Sequence, residues 1–187
     1  WSGSDLFSKT GCQEENDRYA YLKMVSAVGL VMGLHALFML VTGRAQVTGA
    51  VMLRYLPVSA LYIISMATGC LGMRYIELSI LSPVCNSSGA VVVVLILLTS
   101  GFGALPPVSL LAVALVCAGV ISLGVTEARE DPERRMARQE ASGRKYSKSL
   151  LALLLPVLYC ILDALGTFAD ARILETLDEA AANTAYE

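Results

Sequence analysis

PVSLLAVALVCAGVISLGV, from Pro107 to Val125, carries no charge on any face, and its only hydroxyls are Ser109 and Ser122. A helix on the surface of a soluble domain keeps one wet face, so its apolar residues form a stripe bordered by polar ones. Here there is no stripe. The stretch is apolar all round, and its 19 residues come close to the roughly 20 that cross about 30 Å of hydrocarbon.

Working outward, the same reading applies to Tyr21 to Val41, Tyr55 to Met73, Ile76 to Ser100 and Leu150 to Ala169, which with Val108 to Thr126 make five blocks. Inside them the ionisable residues are few: Lys23 and Glu77 near ends, Asp163 in an interior, and His35. The whole chain is 56% hydrophobic and 16% charged, against roughly 45–50% and about 25% in a soluble domain. A lipid-exposed segment must satisfy its own backbone hydrogen bonds, which leaves helices or closed barrels. Barrel strands alternate in polarity over about ten residues, and AVVVVLILL at Ala90 to Leu98 does not. The sequence predicts an all-α integral membrane protein, a polytopic helical bundle inserted many times in the plasma membrane.

The ends read as truncations. The chain opens at Trp1 rather than Met, and WSGSDLFSK has the composition of the tail of an earlier apolar segment. Ala180 to Glu187 stops without a capping or tail pattern. No charged start leads a short apolar core to a small-residue cleavage site.

Between blocks, Glu127 to Lys148 holds seven basic and five acidic residues. That mixture suits a solvated or amphipathic linker helix and gives no separate fold. Its net of two positive charges argues against a nucleic-acid partner. Cys12, Cys70, Cys85, Cys117 and Cys160 are not spaced as metal ligands or a redox pair, so packing is their role and no metal or cofactor is implied. Asn86-Ser87-Ser88 matches the glycosylation acceptor pattern but lies within a span, out of reach of glycosyl transfer.

Gly29 with Gly33, and Ser65 with Gly69, place small residues four apart, which lets backbones approach closely in lipid. Contact within the chain or a homodimer face are the two readings. Ser59, Tyr62, Ser65 and Gly69 share one helical face that does not favour lipid tails. In the block from Ile76 to Ser100 the first half is polar and the second is VVVVLILL. Pro83 lacks an N–H and leaves the Ser79 carbonyl without its helical partner, so a kink is predicted there. Ser79, Ser82 and Asn86 share a face with that carbonyl, either lining a cavity or packed against neighbours.

The stretch Arg74-Tyr75-Ile76-Glu77-Leu78-Ser79-Ile80-Leu81-Ser82-Pro83-Val84 resembles the junction of the third and fourth helices in the drug/metabolite transporter superfamily, of the EamA-like type. Trp1 to Lys9 resembles the end of that family's first helix, Lys23 stands where it often has an arginine, and Ala118-Gly119-Val120 resembles the AGV of its fifth helix. The family's usual Gly-Glu between the fourth and fifth helices is absent, replaced by Gly101-Phe102-Gly103-Ala104. The resemblance implies ten helices in inverted five-helix repeats, and transport of small metabolites by alternating access. The boundaries would be 1–126 for a first half, 127–149 for a linker and 150–187 for the start of a second half. Tyr159 to Asp163 can be laid on Trp1 to Asp5, with aromatic over aromatic and aspartate over aspartate. An odd number of helices per repeat forces inverted topology and puts a site between the halves near the midplane.

Alternating the loops puts Lys9, Arg18, Lys23, Arg74 and the seven linker bases on one side, eleven against Arg44, Arg54 and Arg172. The positive-inside rule makes the eleven cytoplasmic, whereas the family's usual orientation puts them outside. Both orientations stay open at this point.

Two function classes follow. One is a secondary transporter, possible substrates being neutral, zwitterionic or cationic, since no basic cluster lies at membrane depth to hold a multiply charged anion. Its lining candidates are Asp163, Asn86, Ser87, Ser79, Ser82, Tyr62, Glu77 and Asp5, with Asp163 foremost because an ionisable group inside a span is costly and faces the bundle or water. Glu77 can instead snorkel from a span end, and His35 reads as a packing residue. The alternative is a non-transporting assembly subunit or scaffold. Enzyme chemistry needs convergent nucleophile, base and orienting groups, and no HExxH, GxSxG or phosphate-binding glycine loop is present. The charge distribution yields a first expected outcome: limited proteolysis in membranes cuts within 127–149 before any other site. First cleavage within Tyr55 to Ser100 contradicts the assignment of spans.

Overall fold

The computed structural model describes residues 2–12, 17–101, 103, 106–129, 131–141 and 150–187. Among them the chain forms α-helices and no strand: α1 (Ser2–Cys12), α2 (Ala20–Val41), α3 (Gly49–Tyr75), α4 (Leu78–Cys85), α5 (Ser88–Ser100), α6 (Pro107–Ala128), α7 (Pro132–Ala141), α8 (Leu150–Leu174) and α9 (Glu179–Tyr186). Four apolar stretches are long enough to cross a membrane: Ala20–Val41, Gly49–Tyr75, Leu81–Ser100 and Leu154–Leu174. The remaining block forms α6, in which the apolar part Pro107–Ser122 is shorter. Val41 and Leu98 are each 78% exposed, and Val108 is 76% exposed. Apolar exposure on this scale belongs to a surface that meets hydrocarbon rather than water.

The third block is not one helix. Pro83 sits inside α4, and Asn86 and Ser87, which keep right-handed helical dihedrals, form a turn between α4 and α5. Ser87 N–H reaches back only to the Val84 carbonyl at 3.2 Å, and Ala90 N–H to the Ser87 carbonyl at 2.9 Å, a tightened turn in place of the regular ladder.

Helix ends follow from local chemistry. Gly43 adopts φ 67°, its N–H bonds the Leu40 carbonyl at 3.1 Å and the Arg44 N–H bonds the Met39 carbonyl at 3.0 Å, closing α2 in a Schellman motif. The Thr48 hydroxyl accepts from the Val51 N–H at the start of α3, and Asp178 accepts from the Ala181 N–H at the start of α9.

α3 is the centre of the bundle, touching α1, α2, α4, α8 and α9, and its largest interface is with α8. The two run antiparallel with interlocking size. The Tyr159 ring lies over Gly69, the Tyr62 ring lies over Gly166, and Leu155 meets Gly72. Ser65 between them is 2% exposed. The face read from Ser59 to Gly69 is therefore turned to a neighbouring helix. Gly29 and Gly33, by contrast, meet no atom within 4 Å of where a side chain would begin.

Charge sorts to the two ends. At the end that carries the linker, Lys9 Nζ donates to the Ile76 carbonyl at 3.1 Å, and Arg74 Nη1 donates to the Asp17 and Arg18 carbonyls at 2.9 Å. Lys23 pairs with Asp17 there, and this ammonium, with the Tyr19 N–H, holds the Asp17 carboxyl below the usual range. At the opposite end Arg172 Nη2 donates to the Ser100 hydroxyl at 3.0 Å, and the Arg44 guanidinium stacks over Phe38. The linker itself begins inside the last turn of α6 and holds the polar helix α7. Residues 142–149 lie outside the described ones.

The contrast between glycines gives a second expected outcome. A methyl group at Gly69 would stand 2.7 Å from Tyr159 Cδ2, inside contact distance, whereas one at Gly29 meets open space. Gly69→Ala should lower the thermal unfolding midpoint in detergent, with overpacking costing roughly 1–3 kcal/mol, and Gly29→Ala should not lower it. Equal midpoints for the two variants contradict the α3–α8 seam.

Candidate functional site

The polar residues of the interrupted helix converge on α1 and α8. Ser82, one residue before Pro83, projects its hydroxyl from α4 towards α1 and donates to Asp5 Oδ2 at 2.5 Å. Asn86, one turn later, donates through Nδ2 to the Ser82 carbonyl at 2.7 Å and to the Ser82 hydroxyl at 3.1 Å. The three side chains form a directed relay, Asn86 to Ser82 to Asp5, in which each bond polarises the next. Asn86 is the first residue past α4, one turn after Ser82.

Ser87 continues the seam toward α8. Its hydroxyl donates to the Val84 carbonyl at 2.6 Å and lies 3.6 Å from Cys160 Sγ. One turn along α8 is Asp163, half-buried and without a hydrogen bond or ion pair among the described residues. At 1.5 Å per residue it stands about 20 Å into α8 from Leu150, close to the middle of a bilayer-length helix.

A second polar line runs down the α3–α8 interface. Tyr62 donates its hydroxyl to Thr167 Oγ1 at 3.2 Å and tilts against Tyr186 with ring centroids 5.3 Å apart. Tyr55, 2% exposed, donates to Asp170 Oδ1 at 2.5 Å. Sequence reasoning singled out Tyr62 and Asp163 but not Tyr55, Thr167 or Asp170. The signal was present: Tyr55 precedes Tyr62 by seven residues and Asp170 follows Asp163 by seven, two turns along one face in each helix.

Other predicted residues fall elsewhere. The side chain of Ser79 lies outside the described ones. Glu77 does not snorkel outward; it is 8% exposed at the N-cap of α4, beside the Ile76 carbonyl that Lys9 holds. His35 is not a packing residue among apolar neighbours. Its Nδ1 lies 2.5 Å from Glu187 Oε2, across a cavity of about 590 Å³ between α2 and α9 that Met32, Met39, Asn183 and Tyr186 also line. Gly29 and Gly33 take no part in the seam.

No protein-family model, curated protein or solved structure matches the chain. The likeness to EamA-like transporters accordingly rests on the residues quoted for it.

The approach of α5 to α8 is open to a direct test. Cys160 is the one cysteine after the linker. With Cys85 replaced by serine, Ser87→Cys should form a disulfide with Cys160 under mild oxidation. After proteolysis in the linker, the two fragments should migrate together on a non-reducing gel. Separate fragments contradict the Ser87–Cys160 contact.

Proposed function

We propose that the chain is part of a secondary transporter of the plasma membrane, moving a small neutral, zwitterionic or cationic metabolite by alternating access through a bundle of inverted repeats. The observation that carries this reading is the polar seam against the spans: Asp5 of α1 with Ser82 and Asn86 in a relay, Ser87 against Cys160, and Asp163 within α8 without a hydrogen-bond or ion-pair partner among the described residues. Lipid has no use for such groups, and ionisable residues inside spans mark substrate and ion pathways. Two carboxylates with no arginine or lysine among their hydrogen-bonding partners favour a cation or a proton over an anion.

On this reading Asp163 exchanges a proton during the cycle and the Asp5 relay orients the other wall. Asp5 and Asp163, aligned with each other when Tyr159 to Asp163 is laid on Trp1 to Asp5, would then be equivalent residues of the two halves. The break at Asn86 and Ser87 supplies the joint about which α4 and α5 move relative to each other. Irregular backbone at this depth is tolerated where it lines a cavity or is covered by protein.

The second reading, a non-transporting assembly subunit or scaffold, draws on the open Gly29 and Gly33 face of α2, which is free for a second copy or another membrane helix.

Flux separates them. In proteoliposomes with a trapped pH dye, a panel of ethidium, a zwitterionic amino acid and uridine diphosphate should give proton-linked movement of the first or second and none of the third. Asp163→Asn keeps the shape but cannot ionise, so it should abolish the pH dependence of flux while leaving membrane insertion intact. Flux and pH dependence both unchanged in that variant remove Asp163 from the mechanism, and the absence of any flux favours the scaffold.

A further inference from the structure

At the linker end of the bundle, away from the polar seam, a cavity of about 280 Å³ is bounded by Arg18, Tyr19, Tyr21, Leu71, Arg74 and Tyr75. Its size is near the lower bound of small-molecule sites, roughly 300 Å³. Arg74 is fixed in place: Nη1 donates to two carbonyls, those of Asp17 and Arg18, at 2.9 Å each. An arginine has five donors, and Nη2 and Nε of Arg74 make no hydrogen bond among the described residues. The Arg18 guanidinium likewise has no partner among them; Glu14 and Glu15 lie outside the described residues. The Asp17 carboxylate is paired with Lys23 and also lies within electrostatic reach of Arg74.

The position of the cavity narrows its occupant. It lies where α2 begins and α3 ends, at the rim of two spans, and three tyrosines line it with the two arginines. Tyrosine rings settle at the headgroup level of a bilayer. Planar guanidinium forks match phosphate oxygens two at a time. The cavity opens at the end of the bundle that also carries Lys9 and Lys23. Phospholipids of net negative charge carry their phosphates at this headgroup level and are attracted to such basic rims.

We propose that the Arg18–Arg74 cavity binds the phosphate of an anionic phospholipid headgroup, held by the two guanidinium groups and ringed by Tyr19, Tyr21 and Tyr75. A zwitterionic headgroup presents the same phosphate with a choline charge that the two arginines repel, so the site discriminates by net charge. The inference depends on the membrane reading of the helices and is independent of whether the chain transports anything.

The test is native mass spectrometry of the detergent-purified full chain titrated with phosphatidylglycerol or phosphatidylcholine. Phosphatidylglycerol should be retained in preference to phosphatidylcholine. Arg18→Gln should weaken its apparent affinity by about fivefold, the effect of one basic residue near a headgroup. Arg54→Gln, at the opposite end, should leave it unchanged. Arg18 lies outside the helices and makes no side-chain bond among the described residues, so its replacement does not disturb the fold. Equal retention of the two lipids, an equal loss in both variants, or no loss in Arg18→Gln overturns the site. Displacement of the lipid by millimolar inorganic phosphate overturns the lipid as its source and points to a soluble phosphate.

Discussion

A helix surrounded by hydrocarbon has little hydrophobic reason to prefer another helix to lipid. Association rests on close packing and on hydrogen bonds across the contact, each worth about 0.6–2 kcal/mol. α3 and α8 satisfy both conditions at once. Gly69 and Gly166 let the rings of Tyr159 and Tyr62 lie against the opposing backbone, and Tyr55 and Tyr62 carry their hydroxyls to Asp170 and Thr167. Remaining helices are arranged about this pair. α2 packs on α3, α5 on α8, and α4 and α9 fit at opposite ends.

The seam also fixes where polar chemistry sits. Because Tyr159 occupies the groove at Gly69, the next residue, Cys160, faces Ser87, and Asp163 follows one turn later on the same helix. The break after Pro83 matters for the same reason. At the turn of Asn86 and Ser87 the two side chains bond Ser82, Val84 and Cys160. Packing and polarity are therefore set by the same few small residues.

Much of this architecture was legible in the residues. Helical spans follow from blocks with no wet face, and the α3 face turned to its neighbour from Ser59, Tyr62, Ser65 and Gly69 repeating at three- and four-residue steps. What was not legible depended on partners distant in the chain. Nothing local to Gly29 and Gly33 distinguishes them from Ser65 and Gly69, yet one pair faces open space and the other a tyrosine 90 residues away. His35 reads as a lone polar residue until α9 brings Glu187 beside it. Asp5 and Asp163 could be aligned as a pair by sequence, but the bond from Ser82 to Asp5 emerges only when α4 packs on α1.

The ring-on-glycine contacts have a consequence for how this protein can change over evolutionary time. At Gly69 and Gly166 the space for a side chain is already occupied by a residue of the other helix. A larger residue at either place is compatible with the same helix separation only where its opposite number has shrunk. Positions 69 and 159, and positions 62 and 166, are bound to exchange volume as pairs, so drift at one is held in check until its counterpart moves. Covariation in bulk between residues far apart in the chain is the signature that this interface leaves in a lineage.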